Sequence, residues 1–228
     1  GVEMGRFFAE KGIKTAAIYG AFIPNPMHVY RVAGVLSGLG LSYDGATEEG
    51  EVVGKIFTDQ SVDLSKISGD IQIVSYLQGY GDTTTDEINA AIQAKPEAFI
   101  SVGMATTFFT QQLNAAGIEF SDIDSFTQSN GEAITNGKLV YLAGKYSSSV
   151  GPAFALVLNA INGNVIRDEQ GNAVSLSQNY QVATDEATFD EFYKSDNGDN
   201  PIYNKETLDQ IIGESVTFDE INELVTSK

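Results

Sequence analysis

Apolar positions along the chain alternate between a helical and a strand-like rhythm. Val2, Met4, Phe7 and Phe8 put apolar surface on one stripe of a helix that Gly12 is placed to cap, and Ile13 to Tyr19 form a mostly apolar run of strand length. A loop, "AFIPNP", then leads into a helix over 27–39 carrying Val29, Val32, Val35, Leu36 and Leu39. Residues 41–68 are Gly- and acid-rich around the patch "VVGKIF" and read as partly helical. "DIQIVSYLQ" (70–78) predicts a strand followed by the loop "GYGD", and Thr84 with Glu87 reads as a capping box ahead of Ile88, Ala91 and Ile92. Further strands are expected over 98–102, 122–126 and 138–144, with helices over 106–117 and 149–163 stopped by Gly117 and Gly163.

Strand and helix alternating with short connections predict an α/β fold with a parallel sheet covered by helices. The C-terminal stretch changes character. After a hairpin around "RDEQGN" and a strand near "LSQNYQVA", short helices are expected over 185–194, 205–212 and 217–226, the last opened by a capping box of Thr217 and Glu220. The chain is therefore read as one α/β ligand-binding domain, with a core over 1–164 and a C-terminal extension over 165–228.

Charge and composition narrow the function. Thirteen Lys and Arg against thirty-one Asp and Glu give a formal charge of -18, which repels phosphate backbones and excludes nucleic acid as a partner. With no cysteine, disulfides, thiolate metal sites and a Cys nucleophile are excluded. No apolar stretch approaches the ~20 residues needed to span a bilayer.

Catalytic patterns are missing as well. The one histidine, His28, cannot build a His-based metal site, and no "GxSxG", "GxxxxGK[ST]" or strand-following "GxGxxG" occurs. "SDNGDN" (195–200) clusters oxygen ligands without EF-hand spacing and reads as a solvated turn. No catalytic residue, metal or cofactor is assigned, and the chain is not read as an enzyme.

In an open parallel sheet ligands bind at the carboxyl ends of the strands. Here those ends carry "AFIPNP", "QGYGD", "GMATT", "TQSNG" and "GKYSSS", which supply rings, amides and hydroxyls but few charges. Such loops suit a neutral or weakly polar small molecule. Phe22, Asn25, Tyr80, Met104, Gln128 and Tyr146 are the candidate ligand-binding residues on them.

"RVAGVLSGL" (31–39), with Arg31 three residues before Gly34 on the helix after a strand, resembles the "RxxGF" element of type I periplasmic binding proteins and their LacI-type relatives. "FFAEKGIKTAAIYG" is similar to the segment that begins the second lobe of that family, "QQLNAAGI" to its "xALxxAGI", and "NGKLVYLAGKYSSSVGPAFALVLNAINGN" to its last strand, crossover and helix. "VATDEATFDEFYK" and "ESVTFDEINELV" resemble the tails of solute-binding lipoproteins of Gram-positive sugar transporters.

The resemblance implies the second lobe of a periplasmic-binding-protein-like I fold, with the first lobe expected before residue 1. It also implies that Phe154, Leu156 and Leu158 on the 150–161 helix pack on that lobe, or are exposed or repacked in a dimer when the lobe is missing. The function it implies is the extracytoplasmic solute-binding component of an ABC transporter, periplasmic or a cell-surface lipoprotein, working with a membrane permease on a small solute, carbohydrate favoured. Arg31 would donate charge-assisted hydrogen bonds to the ligand, Tyr80 would stack, and Gln128 and Tyr146 would orient polar groups. The chain departs from the sugar-binding pattern where Val102, Gly103 and Met104 replace an Asn-Asp pair and Phe126, Thr127 and Gln128 replace an Asp. The alternative is the effector-binding domain of a LacI-type transcriptional regulator.

Overall fold

The helical and strand rhythms become alternating elements in the computed structural model, which describes residues 1–23, 25–79 and 83–227. The chain divides into two compact units, and each is considered by itself.

The first unit comprises Gly1–Asp124, Gln128–Leu142 and Thr184–Glu186. It opens with α1 (Val2–Glu10), β1 (Thr15–Tyr19) and α2 (Pro26–Gly38). The Gly- and acid-rich stretch follows as β2 (Ser42–Tyr43), α3 (Glu49–Asp59) and β3 (Ile67–Ser68), with β2 and β3 paired antiparallel. Next come β4 (Gln72–Leu77), α4 (Thr83–Gln93), β5 (Ala98–Ser101), α5 (Ala105–Phe108), α6 (Thr110–Ala116), β6 (Glu119–Asp124), α7 (Gln128–Thr135) and β7 (Leu139–Gly144). The strand order is β4-β1-β5-β6-β7, and β1 pairs parallel with both β4 and β5, as β5 does with β6.

The sheet is thus mostly parallel and flanked by helices, as the alternation predicts. Tyr19, Ile18, Phe99, Ile100 and Phe120 are fully buried in it. Right-handed crossovers put helices on opposite faces when the chain reverses direction across a sheet. Accordingly α1 packs on α2 and α2 on α3, whereas α4 packs on α6. The α1–α2 pair is held at backbone distance by glycines: a Cβ on Gly5 would lie 2.4 Å from the Val35 carbonyl oxygen, and one on Gly38 would lie 2.1 Å from that of Val2.

Four local expectations are corrected. The helix expected over 106–117 is broken at Phe109 into α5 and α6. β6 begins three residues before the predicted strand, because Ser121 and Asp122 are buried polar residues that interrupt its apolar pattern. α7 lies where a loop is expected; its sequence "QSNGEAIT" is polar, and the buried side of the helix is made by Asn130, Ala133 and Ile134. Thr84 is not an N-cap, since α4 starts one residue earlier.

The second unit comprises Ser125–Thr127, Ala143–Ala183 and Ala187–Lys228. It receives the end of β7 and contains α8 (Gly151–Ile161) and β8 (Gln181–Ala183). α9 (Glu186–Asn197), α10 (Lys205–Asp209) and α11 (Phe218–Thr226) complete it. α9 extends through Ser195, Asp196 and Asn197, so the predicted "SDNGDN" turn is helical in its first half. Ala155, Ile211, Ile221 and Val225 form its core, with Leu156, Leu208 and Leu224 packed around them. Asn159, fully buried, staples α8 to the segment after α10: its Nδ2 donates to the Ile211 carbonyl and its Oδ1 accepts from the Gly213 amide, both at 2.9 Å. The outer side of α8 leaves Phe154, Val157 and Ile161 exposed. Among the described residues no helix is long and apolar enough to cross a membrane.

Candidate functional site

β1 is the strand at which the sheet changes direction. The chain leaves its carboxyl end toward β4 on one side and later leaves the neighbouring β5 toward β6 on the other. The two connections diverge at the carboxyl ends of β1 and β5, which in open α/β sheets is the usual position of the ligand crevice.

The β1 side of the crevice is a tight turn. Ala21 adopts a left-handed conformation, with φ of 54°. Asn25 then caps α2 with its side-chain oxygen, which accepts from the Met27 amide at 3.0 Å. His28 Nδ1 lies 3.0 Å from both the amide nitrogen and the carbonyl oxygen of Phe22 and bonds whichever its tautomer allows. The turn and first part of α2 leave Phe22, Met27 and Tyr30 about half exposed.

The β5 side is buttressed from beneath. Ser101 and Ser121, both fully buried, exchange hydrogen bonds, and the Ser101 hydroxyl accepts from the Gly103 amide at 3.1 Å. Met104 is also left-handed, with φ of 67°, which a residue bearing Cβ adopts at a cost of about 1–3 kcal/mol. Asp122 of β6 holds it there by accepting from the Ala105 and Thr106 amides at 3.0 and 2.8 Å and from its own neighbour Ile123 at 2.9 Å. Burial pushes the Asp122 carboxyl above the usual carboxylate range, although these donors pull the other way. Asn130 completes the support with a 3.1 Å bond to the Thr106 hydroxyl.

Arg31 joins the two sides. From the second turn of α2 its Nη1 donates to the Val102 carbonyl, just past β5, at 2.8 Å. The crevice position therefore has one half-buried guanidinium linking its two sides and a left-handed non-glycine residue past each strand end, with half-exposed aromatic residues on the adjoining turn and helix.

Of the sequence-chosen residues, Phe22, Asn25, Arg31 and Met104 belong to this crevice. Asn25 has a helix-capping role there, and Met104 shapes the backbone. Gln128 is exposed at the start of α7, where its amide donates to Glu132 at 3.2 Å. Tyr146 belongs to the second unit and packs with Phe126 and Phe192, its hydroxyl pKa raised by burial. Tyr80 lies outside the described residues.

Sequence reasoning missed Asp122, Ser101 and the Val102 carbonyl. The adjacent Ser and Asp between Phe120 and Ile123 were the available signal.

An open groove of about 430 Å³ elsewhere on this unit is lined by Asp44, Glu51, Lys55, Asp59 and Lys66. Its charges are largely spent on one another: Lys66 bonds both Asp59 oxygens at 2.8 Å, Lys55 reaches Asp44 at 3.0 Å, and the Tyr43 hydroxyl donates to Asp59 at 2.6 Å. Burial and that bond push the Tyr43 hydroxyl up to about 12. Nothing in this arrangement recommends it over the crevice.

No family model and no curated protein matches the chain. Among solved structures it is similar to a crystal structure provisionally described as a branched-chain amino acid ABC transporter from Rhodospirillum rubrum, with 14% identity and a TM-score of 0.32. That likeness covers 99% of this chain and 53% of the other, so the chain spans about half the length of the structure it resembles.

Proposed function

We propose that this chain is the ligand-binding part of an extracytoplasmic solute receptor that delivers a small polar molecule to the membrane permease of an ABC transporter. The observation that carries the reading is the switch point at the carboxyl ends of β1 and β5, bridged by Arg31 and followed on each side by a left-handed residue, Ala21 and Met104. Its order agrees with the resemblance of the segment around Arg31 to type I periplasmic binding proteins.

Binding needs no covalent step. Arg31 presents a planar, permanently charged guanidinium, and a ligand oxygen that reached it would receive a charge-assisted hydrogen bond. Phe22 and Tyr30 offer ring faces to the flatter, less polar side of a solute. Carbohydrate is the first ligand class to try, because a sugar presents hydroxyl oxygens on its edge and a C–H face to a ring.

In a two-lobe receptor the other lobe would close over the solute and the outer side of α8 would be covered. On that reading this chain alone binds weakly, since half of the clamp is missing. The test is a thermal-shift screen of the intact gene product against sugars, nucleosides, amino acids and oligopeptides, where a ligand at 100 times its Kd should add about 2.7 kcal/mol. Arg31→Ala should abolish that shift. Silence across the panel overturns the solute-receptor reading, and micromolar binding by the 228-residue chain alone overturns the two-lobe site.

A further inference from the structure

Tyr76 lies on β4 opposite Ile18 of β1, in a register that continues through Tyr19 and Leu77 and sets Gly20 against Gln78. Its ring leans forward over Gly20: a Cβ there would lie 2.0 Å from the Tyr76 hydroxyl and 2.6 Å from its Cζ. Glycine at the end of β1 is therefore what lets the phenol reach the carboxyl edge of the sheet. Tyr76 and Gln78 are two residues apart at the end of a strand and so share one face.

Both carry a buried polar atom with no hydrogen-bond partner among the described residues, the Tyr76 hydroxyl and Gln78 Oε1. The Gln78 amide cannot be turned to relieve this, because its Nε2 donates to the Gln60 carbonyl at 3.3 Å and a carbonyl only accepts. Unpaired buried polar atoms are rare in folded chains, and two on one strand end ask for an explanation.

We infer that the Tyr76 hydroxyl and Gln78 Oε1 form a binding position for a neutral hydroxyl group, supplied by a held water molecule or by a polyhydroxylated solute. The donor count selects that chemistry. Gln78 Oε1 can only accept, so its guest must donate, which excludes a carboxylate. Tyr76 can donate or accept, which a hydroxyl matches in either direction. An ammonium would need a buried counter-charge, yet the groups whose charges act on Tyr76 are two other phenols, Tyr43 and Tyr19. Burial raises the Tyr76 pKa and keeps it a neutral donor at physiological pH.

The solute source rests on the receptor reading above; the water source does not. The test uses the 228-residue chain and Tyr76→Phe, melted in buffer and in excess D-ribose or D-glucose. If the position is filled, the variant loses a hydrogen bond and its melting temperature falls by about 2–4 °C. A fall of equal size with and without sugar identifies water. A sugar that raises the wild-type melting temperature but binds the variant at least tenfold more weakly identifies a solute hydroxyl.

A variant that melts at or above wild type in every condition overturns the proposal, since removing an unpaired hydroxyl can only help. A crystal structure of the wild-type chain keeps the question decidable should the variant fail to fold. An oxygen within about 3.2 Å of both atoms supports the inference, and its absence at high resolution overturns it. Arg31→Ala separates the two readings: if it leaves sugar binding untouched while Tyr76→Phe still lowers the melting temperature, the crevice reading fails and this one stands.

Discussion

Gly38→Ala tests the closeness of α1 and α2, on which the placement of Arg31 depends. A Cβ at residue 38 would meet the Val2 carbonyl oxygen at 2.1 Å, the Arg6 nitrogen at 2.8 Å and the Gly5 Cα at 2.9 Å. All three are backbone atoms, so no side chain can rotate out of the way. A carbon–oxygen contact settles at about 3.3 Å, and the helices must therefore part by roughly 1 Å. A gap of that size forfeits a quarter to a half of each dispersion contact across the seam, where Met4, Phe8, Val35 and Leu36 are buried. Overpacking of this kind costs about 3 kcal/mol at its upper end, and the better helix propensity of alanine returns about 1 kcal/mol. The net loss of about 2 kcal/mol should lower the melting temperature by about 4–8 °C, read by calorimetry or circular dichroism. Gly54→Ala is the control. It sits exposed in the middle of α3 with nothing within 4 Å of an added methyl group, so the propensity gain stands alone and the melting temperature should rise by about 2–4 °C. A Gly38→Ala protein as stable as wild type, beside a stabilised Gly54→Ala, would refute the backbone-distance packing of α1 on α2.

Two further perturbations probe each unit separately. Thr217→Ala removes the hydroxyl's two bonds in the capping box, the one it accepts from the Glu220 amide and the one it donates to the Glu220 carboxylate, while the Thr217 amide keeps its bond to Glu220; it should cost about 1 kcal/mol, lowering the melting temperature of the second unit, and an unchanged transition would mean that the helix start does not depend on its cap. In the first unit, the Lys66 ammonium and then the Tyr43 hydroxyl hold the Asp59 carboxyl below its ordinary 3.8. A lowered carboxylate contributes stability above its unfolded pKa and loses it as pH falls through the folded one. The advantage of wild type over Asp59→Asn in urea titrations should therefore be constant near neutrality, begin to fall as pH drops past about 3.8 and be lost once it has passed through the lower folded pKa; an advantage that grows with acid would reverse the assignment.

What was legible in the sequence, and what was not, follows from where the determining partner sits. The stops at Gly12, Gly117 and Gly163 and the capping box of α11 depend on neighbours a few residues away, so residue type and spacing identify them, and each of these glycines does adopt a positive φ. α7 escaped notice because its buried face includes Asn130, whose amide is satisfied by Thr106, twenty-four residues earlier in the chain. A polar residue reads as surface until its partner is known. The same holds for Asp122, which looks like one more acid in a chain of charge -18 but caps the turn that strains Met104. At the crevice, Arg31 was legible through its spacing to Gly34, yet its hold on the Val102 carbonyl required β5 to lie beside β1. Tyr76 and Gly20 are the limiting case: neither has a local signature, and their relation exists only through the β1–β4 register. In a parallel sheet every pairing is made across a crossover, so residues at the carboxyl edge meet neighbours that are distant in sequence. The edge that binds ligands is for this reason the part of the fold that local pattern describes least, and a search for function in such a chain does best to begin from buried polar residues at strand ends.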